Sequence, residues 1–181
     1  MQIGFFADSY FPRKDGFSYT LKSWKNRLED RGHEVHLWYP ESSHEPGENE
    51  HPVTSAQNPF YTGHSAPLAV PKPEVDLDVG HVHSPGPVGL AGRDRISSDT
   101  GSVFSYHTPV EDYAKEFGPA DIGRAAAPLV SRYENWFISG FDIITSSTSA
   151  IPHDTVYKEL PVGVDTEFFN PKETDSEAVI G

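Results

Sequence analysis

The chain opens on Ile3-Gly4-Phe5-Phe6, a short apolar run that reads as a buried parallel strand. A polar loop from Ala7 to Gly16 follows. Phe17, Leu21, Trp24 and Leu28 then recur at helical spacing and predict an amphipathic helix to about Arg31. Gly32 stands where a left-handed carboxyl-terminal cap belongs. Glu34-Val35-His36-Leu37-Trp38-Tyr39 predicts a second strand, closed by Pro40. A strand, a helix and a strand within about 40 residues are the signature of an α/β sheet.

Between Glu41 and Pro59 that pattern breaks. The segment holds Glu41, Glu45, Glu48, Glu50 and three prolines, and almost no large apolar residue. It reads as a mobile, solvated excursion whose removal leaves the fold intact, because it cannot offset its own ordering entropy. Short strands are then expected at Leu68-Ala69-Val70, at Val75 to His83 (weakened by Gly80) and at Ser102 to Tyr106. A short helix is expected from about Val88 and a helical turn over Ala114 to Phe117. A longer helix from Ile122 to Ser139 would bury Leu129, Tyr133, Trp136 and Phe137 on one face, with Pro128 kinking or interrupting it. Strands over Asp142 to Ser146 and Glu159 to Val162 close the pattern. A parallel crossover needs a dozen or more residues. Only ten, 148–157, join the last two strands, so that unit is either trimmed to about one turn or degenerate.

Composition narrows the class. The 181 residues suit one domain, and 11 Phe, 8 Tyr and 3 Trp can fill its core. Acidic residues outnumber basic ones 27 to 14, a balance of −13. A field of that sign repels nucleic acid and anionic lipid, so neither partners the bulk surface. It fits a salt-adapted protein and an ordinary acidic one equally. With no Cys, disulfides and thiolate sites are excluded. No apolar run reaches membrane-spanning length, and the first residues enter a strand rather than a leader. The reading is a cytoplasmic protein with at most peripheral contact at the inner face of the membrane.

Three segments could carry chemistry. The first loop ends in Gly16 just ahead of a helix, where backbone N–H groups and the positive dipole end suit phosphate. His81-Val82-His83-Ser84-Pro85-Gly86 places His83 at the carboxyl end of a central strand, the edge where open α/β sheets bind ligands. His81 and His83 are taken to face opposite sides of that strand, which makes a metal-chelating pair improbable. Tyr106-His107-Thr108 follows another strand, and its histidine could donate to a sugar hydroxyl or stabilise developing charge.

In order and spacing these segments resemble the amino-terminal domain of family 4 glycosyltransferases of GT-B architecture. The resemblance is carried by Ile3 to Tyr10 with Gly16, Arg31-Gly32-His33-Glu34-Val35, His81 to Pro87, Tyr106-His107-Thr108, Arg132-Tyr133-Glu134, and Leu160 to Phe169. It covers nearly the whole chain, nearest to members that glucosylate or mannosylate lipids or build surface polysaccharides. It implies a Rossmann-like parallel sheet with helices on both faces, one half of a GT-B fold, over residues 1–170. Residues 171–181 would be a truncated interdomain tail.

The implied activity is hexosyl transfer with retention, from a nucleotide diphosphate sugar to a lipid or glycan hydroxyl. This chain would supply the acceptor side, and a separate chain could supply the donor domain. No metal and no cofactor beyond the donor are implied. Gly16 matches the glycine that approaches the donor diphosphate, although the usual Gly-Gly is Asp15-Gly16 here. His107 matches the histidine at the reaction centre. Tyr10 matches an acceptor-side position, and His83 and Glu111 line the same cleft. The glutamates that grip the donor belong to a second domain and have no counterpart in this sequence, so the chain alone is expected to be inactive. The rival readings are a non-catalytic binding domain or the inactive product of a truncated gene. A nucleotide-binding domain of another class would want a fuller glycine fingerprint after the first strand.

Overall fold

The computed structural model describes residues 1–57, 65–68, 70–71, 73–107, 120–147, 156–163 and 166. In chain order the elements are β1 (Gln2–Phe6), α1 (Gly16–Glu29), β2 (Glu34–Pro40), β3 (Glu50–Val53), β4 (Ser55–Gln57) and β5 (Ser65–Pro67). They continue with β6 (Val79–Val82), α2 (Pro87–Arg95), β7 (Gly101–Tyr106), α3 (Ala120–Ile138), β8 (Ile143–Ser146) and β9 (Lys158–Glu159). Seven strands form one sheet in the order β3-β2-β1-β6-β7-β8-β9, every pairing parallel. From β1 the chain winds outward to β3, then crosses back to β6 on the other side of β1. The order therefore reverses between β1 and β6, and the carboxyl edge there is where such sheets take ligands.

Alternation along the strands sorts two cores. Ile3 and Phe5 of β1, with Val35, Leu37 and Tyr39 of β2, pack under Leu21, Trp24 and Leu28 of α1. Phe6, Trp38, Val82 and Phe104 face the other way, against Val88 of α2 and Phe137 and Ile138 of α3. Helices thus cover both faces, and burying each such side chain contributes about 1.5–3 kcal/mol. The Asp15 carboxylate caps α1 by accepting from the Ser18 N–H at 2.8 Å. Gly32 has φ +81° after the helix end, a conformation glycine adopts without strain. Gly80 does not weaken β6 idly. A Cβ there would lie 2.3 Å from Ile96, so the small residue is what lets the α2 end pack on the strand.

Three expectations need correction. The 41–59 segment is mostly exposed over 41–48, but 50–53 is not a solvated excursion. Glu50 to Val53 pairs with β2 as an edge strand, Val53 is 1% exposed, and the His51 ring stacks 4.8 Å from that of Trp38. One buried valine and aromatic stacking anchor what composition alone left unanchored. In α3 the buried face is Glu134, Phe137 and Ile138, while Leu129 (72% exposed) and Trp136 (50%) look outward. The helix runs through Pro128 without ending there. The short strand expected at 68–70 is displaced to Ser65–Pro67, where it pairs antiparallel with β4. The expected turn at 114–117, most of the 148–157 connection, and residues 167–181 lie outside the described residues.

Candidate active site

Each strand of the ligand edge delivers a polar group. In β6, His81 lies opposite Phe5 of β1 in register, so it shares the α1 face with Phe5. His83, two residues on, shares that face as well: the two imidazole centroids are 3.9 Å apart. The opposite-facing assignment is therefore wrong, because side chains two apart in a strand point the same way. Among the described residues no group of three or more His, Cys, Asp or Glu is placed to hold a metal ion.

His81 Nε2 lies 2.7 Å from Ser105 Oγ, and Ser105 Oγ lies 2.7 Å from Thr145 Oγ1, a polar row running from β6 to β8. Higher on the edge, His83 Nδ1 lies 3.3 Å from His107 Nε2. The Trp24 ring of α1 covers this group, with centroids 5.8 Å from His81, 5.7 Å from His83 and 5.9 Å from His107. A shallow hollow, partly open to solvent, lies beside it. Trp24, His107, Ser105 and Thr145 line it together with Leu160 and Val162, which follow β9.

This group is electrically quiet. Burial holds His107 down at about 4 and His81, opposed also by the charge of His107, at about 3. Burial drives His83 well below the ordinary histidine range, and its two histidine neighbours add to that. At neutral pH all three are uncharged hydrogen-bonding rings.

Gly16 opens α1 at the same edge. Its neighbour Phe17 meets the His107 ring edge-on at a centroid distance of 5.2 Å. Nothing lies within 4 Å of where a Gly16 Cβ would be, and its φ is not in the left-handed region. Neither packing nor backbone conformation calls for glycine, so the open space is free for a ligand to approach the backbone.

The structure thus brings His83 and His107 together, with Phe17, the residue after Gly16, against the His107 ring, but not Tyr10. The Tyr10 ring is 5% exposed and packs on Tyr39 of β2. Its hydroxyl donates to Glu50 Oε1 at 3.1 Å, on the β2–β3 side of the sheet. Glu111 lies outside the described residues.

One residue of this edge was not singled out from sequence. Asp8, just past β1, accepts from Ser84 Oγ at 2.6 Å, from the Val88 N–H at 2.7 Å and from the Gly89 N–H at 3.3 Å. Its own N–H donates to Ser84 Oγ at 2.8 Å. It therefore bolts the 84–89 turn to β1 and occupies the amino end of α2. Burial raises its carboxyl above the ordinary range, against the lowering effect of these hydrogen bonds. The Tyr133 hydroxyl holds the same turn by donating to the Pro85 carbonyl at 2.6 Å. An acid two residues beyond the first strand's apolar run was the available signal.

Known proteins bear on this arrangement. An alpha-monoglucosyldiacylglycerol synthase of Acholeplasma laidlawii is 27% identical over a 208-residue alignment that covers 99% of this chain and 50% of the relative. A GDP-mannose-dependent alpha-mannosyltransferase of Mycolicibacterium smegmatis is 28% identical over 142 residues, 70% of this chain and 37% of the relative. The chain spans about half the length of the curated relatives it matches, or less. Among solved structures, an alpha-glucosyltransferase in complex with UDP and a mismatched DNA superposes with a TM-score of 0.51 at 16% identity, over 89% of this chain and 41% of that one. That likeness shows a shared fold, the Rossmann-like half of a GT-B enzyme. The sequence model of Glycosyltransferase Family 4 matches residues 15–153, well over half of the 181, and the chain belongs to that family.

Proposed function

We propose that this chain is the acceptor-side domain of a retaining hexosyltransferase that uses a nucleotide diphosphate sugar and a lipid or glycan hydroxyl. The observation that supports the reading is an uncharged His107 at the carboxyl edge, 3.3 Å from His83 and met at 5.2 Å by the ring of Phe17, which follows the open Gly16. Transfer with retention develops positive charge on the sugar and negative charge on the departing diphosphate. A histidine held neutral can hydrogen-bond a sugar hydroxyl without setting a cation beside that positive centre. The Gly16 backbone can approach the diphosphate. The polar row behind Trp24 and the apolar Leu160 and Val162 suit an acceptor with a hydroxylated head and an apolar body. The relatives' names, a synthase of a glucosyl lipid and a GDP-mannose-dependent enzyme, support the donor and acceptor classes. In this reading the residues that grip nucleotide and sugar belong to a second domain, and no metal takes part.

The test joins the chain to a relative's second domain, in cis or in trans, and offers uridine and guanosine diphosphate hexoses with diacylglycerol and glycan acceptors. Transfer with retained anomeric configuration is expected. His107→Ala should lose about a hundredfold or more in rate, the usual cost of removing a fixed polar group at a reaction centre. His33→Ala, in the turn before β2, should not. Transfer by the 181-residue chain alone would overturn the division of labour. No transfer with any donor in the panel would favour a binding domain without catalysis.

A further inference from the structure

We infer that His83 is a positioning residue whose Nδ1–H donates to His107 Nε2, so that His107 carries its own proton on Nδ1 and can donate only from there. This deepens the reading of His107 as the sugar contact and rests on it.

Two uncharged imidazoles can share the 3.3 Å contact in only two ways. If His107 Nε2–H donates, His83 must accept at Nδ1 and carry its proton on Nε2. That atom is buried, in a side chain 1% exposed, and has no partner among the described residues. Its ring is walled by Phe5, centroids 4.7 Å apart, and by Trp24 and His81. An N–H there would be desolvated with no acceptor. If His83 Nδ1–H donates instead, only a bare nitrogen lone pair is left without a partner. Orphaned buried donors are rarer in folded proteins than under-satisfied acceptors. The second arrangement is therefore the stable one. Both rings are uncharged at neutral pH, which burial explains.

The chemical consequence is specific. His107 Nε2 has its lone pair engaged and cannot serve as a base. The tautomer of one ring is set by the hydrogen bond the other makes.

Ring-nitrogen NMR of the 15N-labelled 181-residue protein at neutral pH reads the tautomers directly. His107→Ala and His83→Phe identify the two sets of signals. Both histidines should be protonated at Nδ1. A His107 protonated at Nε2 overturns the inference. In His83→Phe, which keeps a ring of similar size against Phe5 and Trp24, His107 should leave the pure Nδ1–H form; an unchanged His107 pattern also overturns it. His83→Asn, whose amide can offer an N–H near the Nδ1 position, should restore the Nδ1–H form of His107. This variant also serves if the Phe variant does not fold. The measurement needs no donor, acceptor or second domain, so a silent transfer assay leaves it standing, and its own failure leaves the transfer reading intact.

Discussion

Two histidine pairs stand on opposite faces of the same sheet, and they differ in what surrounds them. His36 Nδ1 lies 3.0 Å from His51 Nε2 near the β3 edge, much as His83 meets His107 at the carboxyl edge. The first pair is finished on its far side. His36 Nε2 has two acceptors, Gln2 Oε1 at 3.1 Å and Glu34 Oε1 at 3.3 Å, so a ring protonated at Nε2 donates there and accepts the His51 Nε2–H at Nδ1. The second pair is not finished, because His83 ends against Phe5 and Trp24 with one nitrogen unpartnered among the described residues. Burial opposes its protonation first, and the other two histidines add to that. Structural polar clusters tend to be fully satisfied, and departures from that rule gather at functional sites. The difference separates a pair that holds β3 to the sheet from a pair kept uncharged and incomplete where a ligand would come.

The largest effect that tests this contrast is on rate. In the reconstituted enzyme described above, His51→Ala should keep the transfer rate within about threefold, while His107→Ala loses about a hundredfold. Equal losses would mean that the two pairs do not differ in role.

Acid stability comes next. Above the unfolded histidine value of about 6.5 the three site histidines are neutral in both states and add no pH dependence. As pH falls below that, the unfolded chain takes up protons that the folded one refuses, because folded values are about 4 for His107, about 3 for His81 and well below ordinary for His83. Stability is therefore lost with acidity, by up to about 2 kcal/mol per histidine between pH 6.5 and pH 5. His51 adds to this, since burial and the charge of His36 also lower it. Denaturant melts at the two pH values measure the total. His83→Phe should flatten the dependence by about one proton. The same slope in that variant would show that His83 is not held neutral.

The sequence carried the alternation of β1 and β2, the α1 stripe, the left-handed Gly32 and the two histidine segments at strand ends, because each rests on a local rule of period or turn chemistry. It did not carry β3. Glu50-His51-Pro52-Val53 has one apolar anchor, and its pairing depends on Trp38 and His36 some fifteen residues earlier. Nor did it carry the α3 face. Periodicity puts Leu129 and Trp136 inward, but Arg93 stacks on the outer Trp136 ring at 4.2 Å and gives that aromatic a place at the surface. At the site, the placing of Gly16 at a helix start and of His107 at a strand end could be read from position alone. The inward commitment of Tyr10 could not, since it depends on Glu50 arriving through the unforeseen strand.

The smallest effects come from exchanging each histidine for a ring without polar atoms, and they isolate the contrast best. His36→Phe removes the partner of His51, Gln2 and Glu34 together in a side chain only 4% exposed. It should cost about 1–3 kcal/mol, the usual result of stranding buried polar groups. His83→Phe removes a nitrogen that already lacks a partner and substitutes apolar surface in an apolar setting. It strands only His107 Nε2, on a half-buried side chain. Its cost should stay within about 1 kcal/mol and could have the opposite sign, since residues kept for function are often not those best for stability. Both changes add similar bulk, so a cost from overpacking would enter both. Paired denaturant melts at pH 7 therefore compare polar satisfaction rather than size. If His83→Phe proves as costly as His36→Phe, the carboxyl-edge pair is as fully built into the fold as the other, and its unfinished nitrogen says nothing about a ligand.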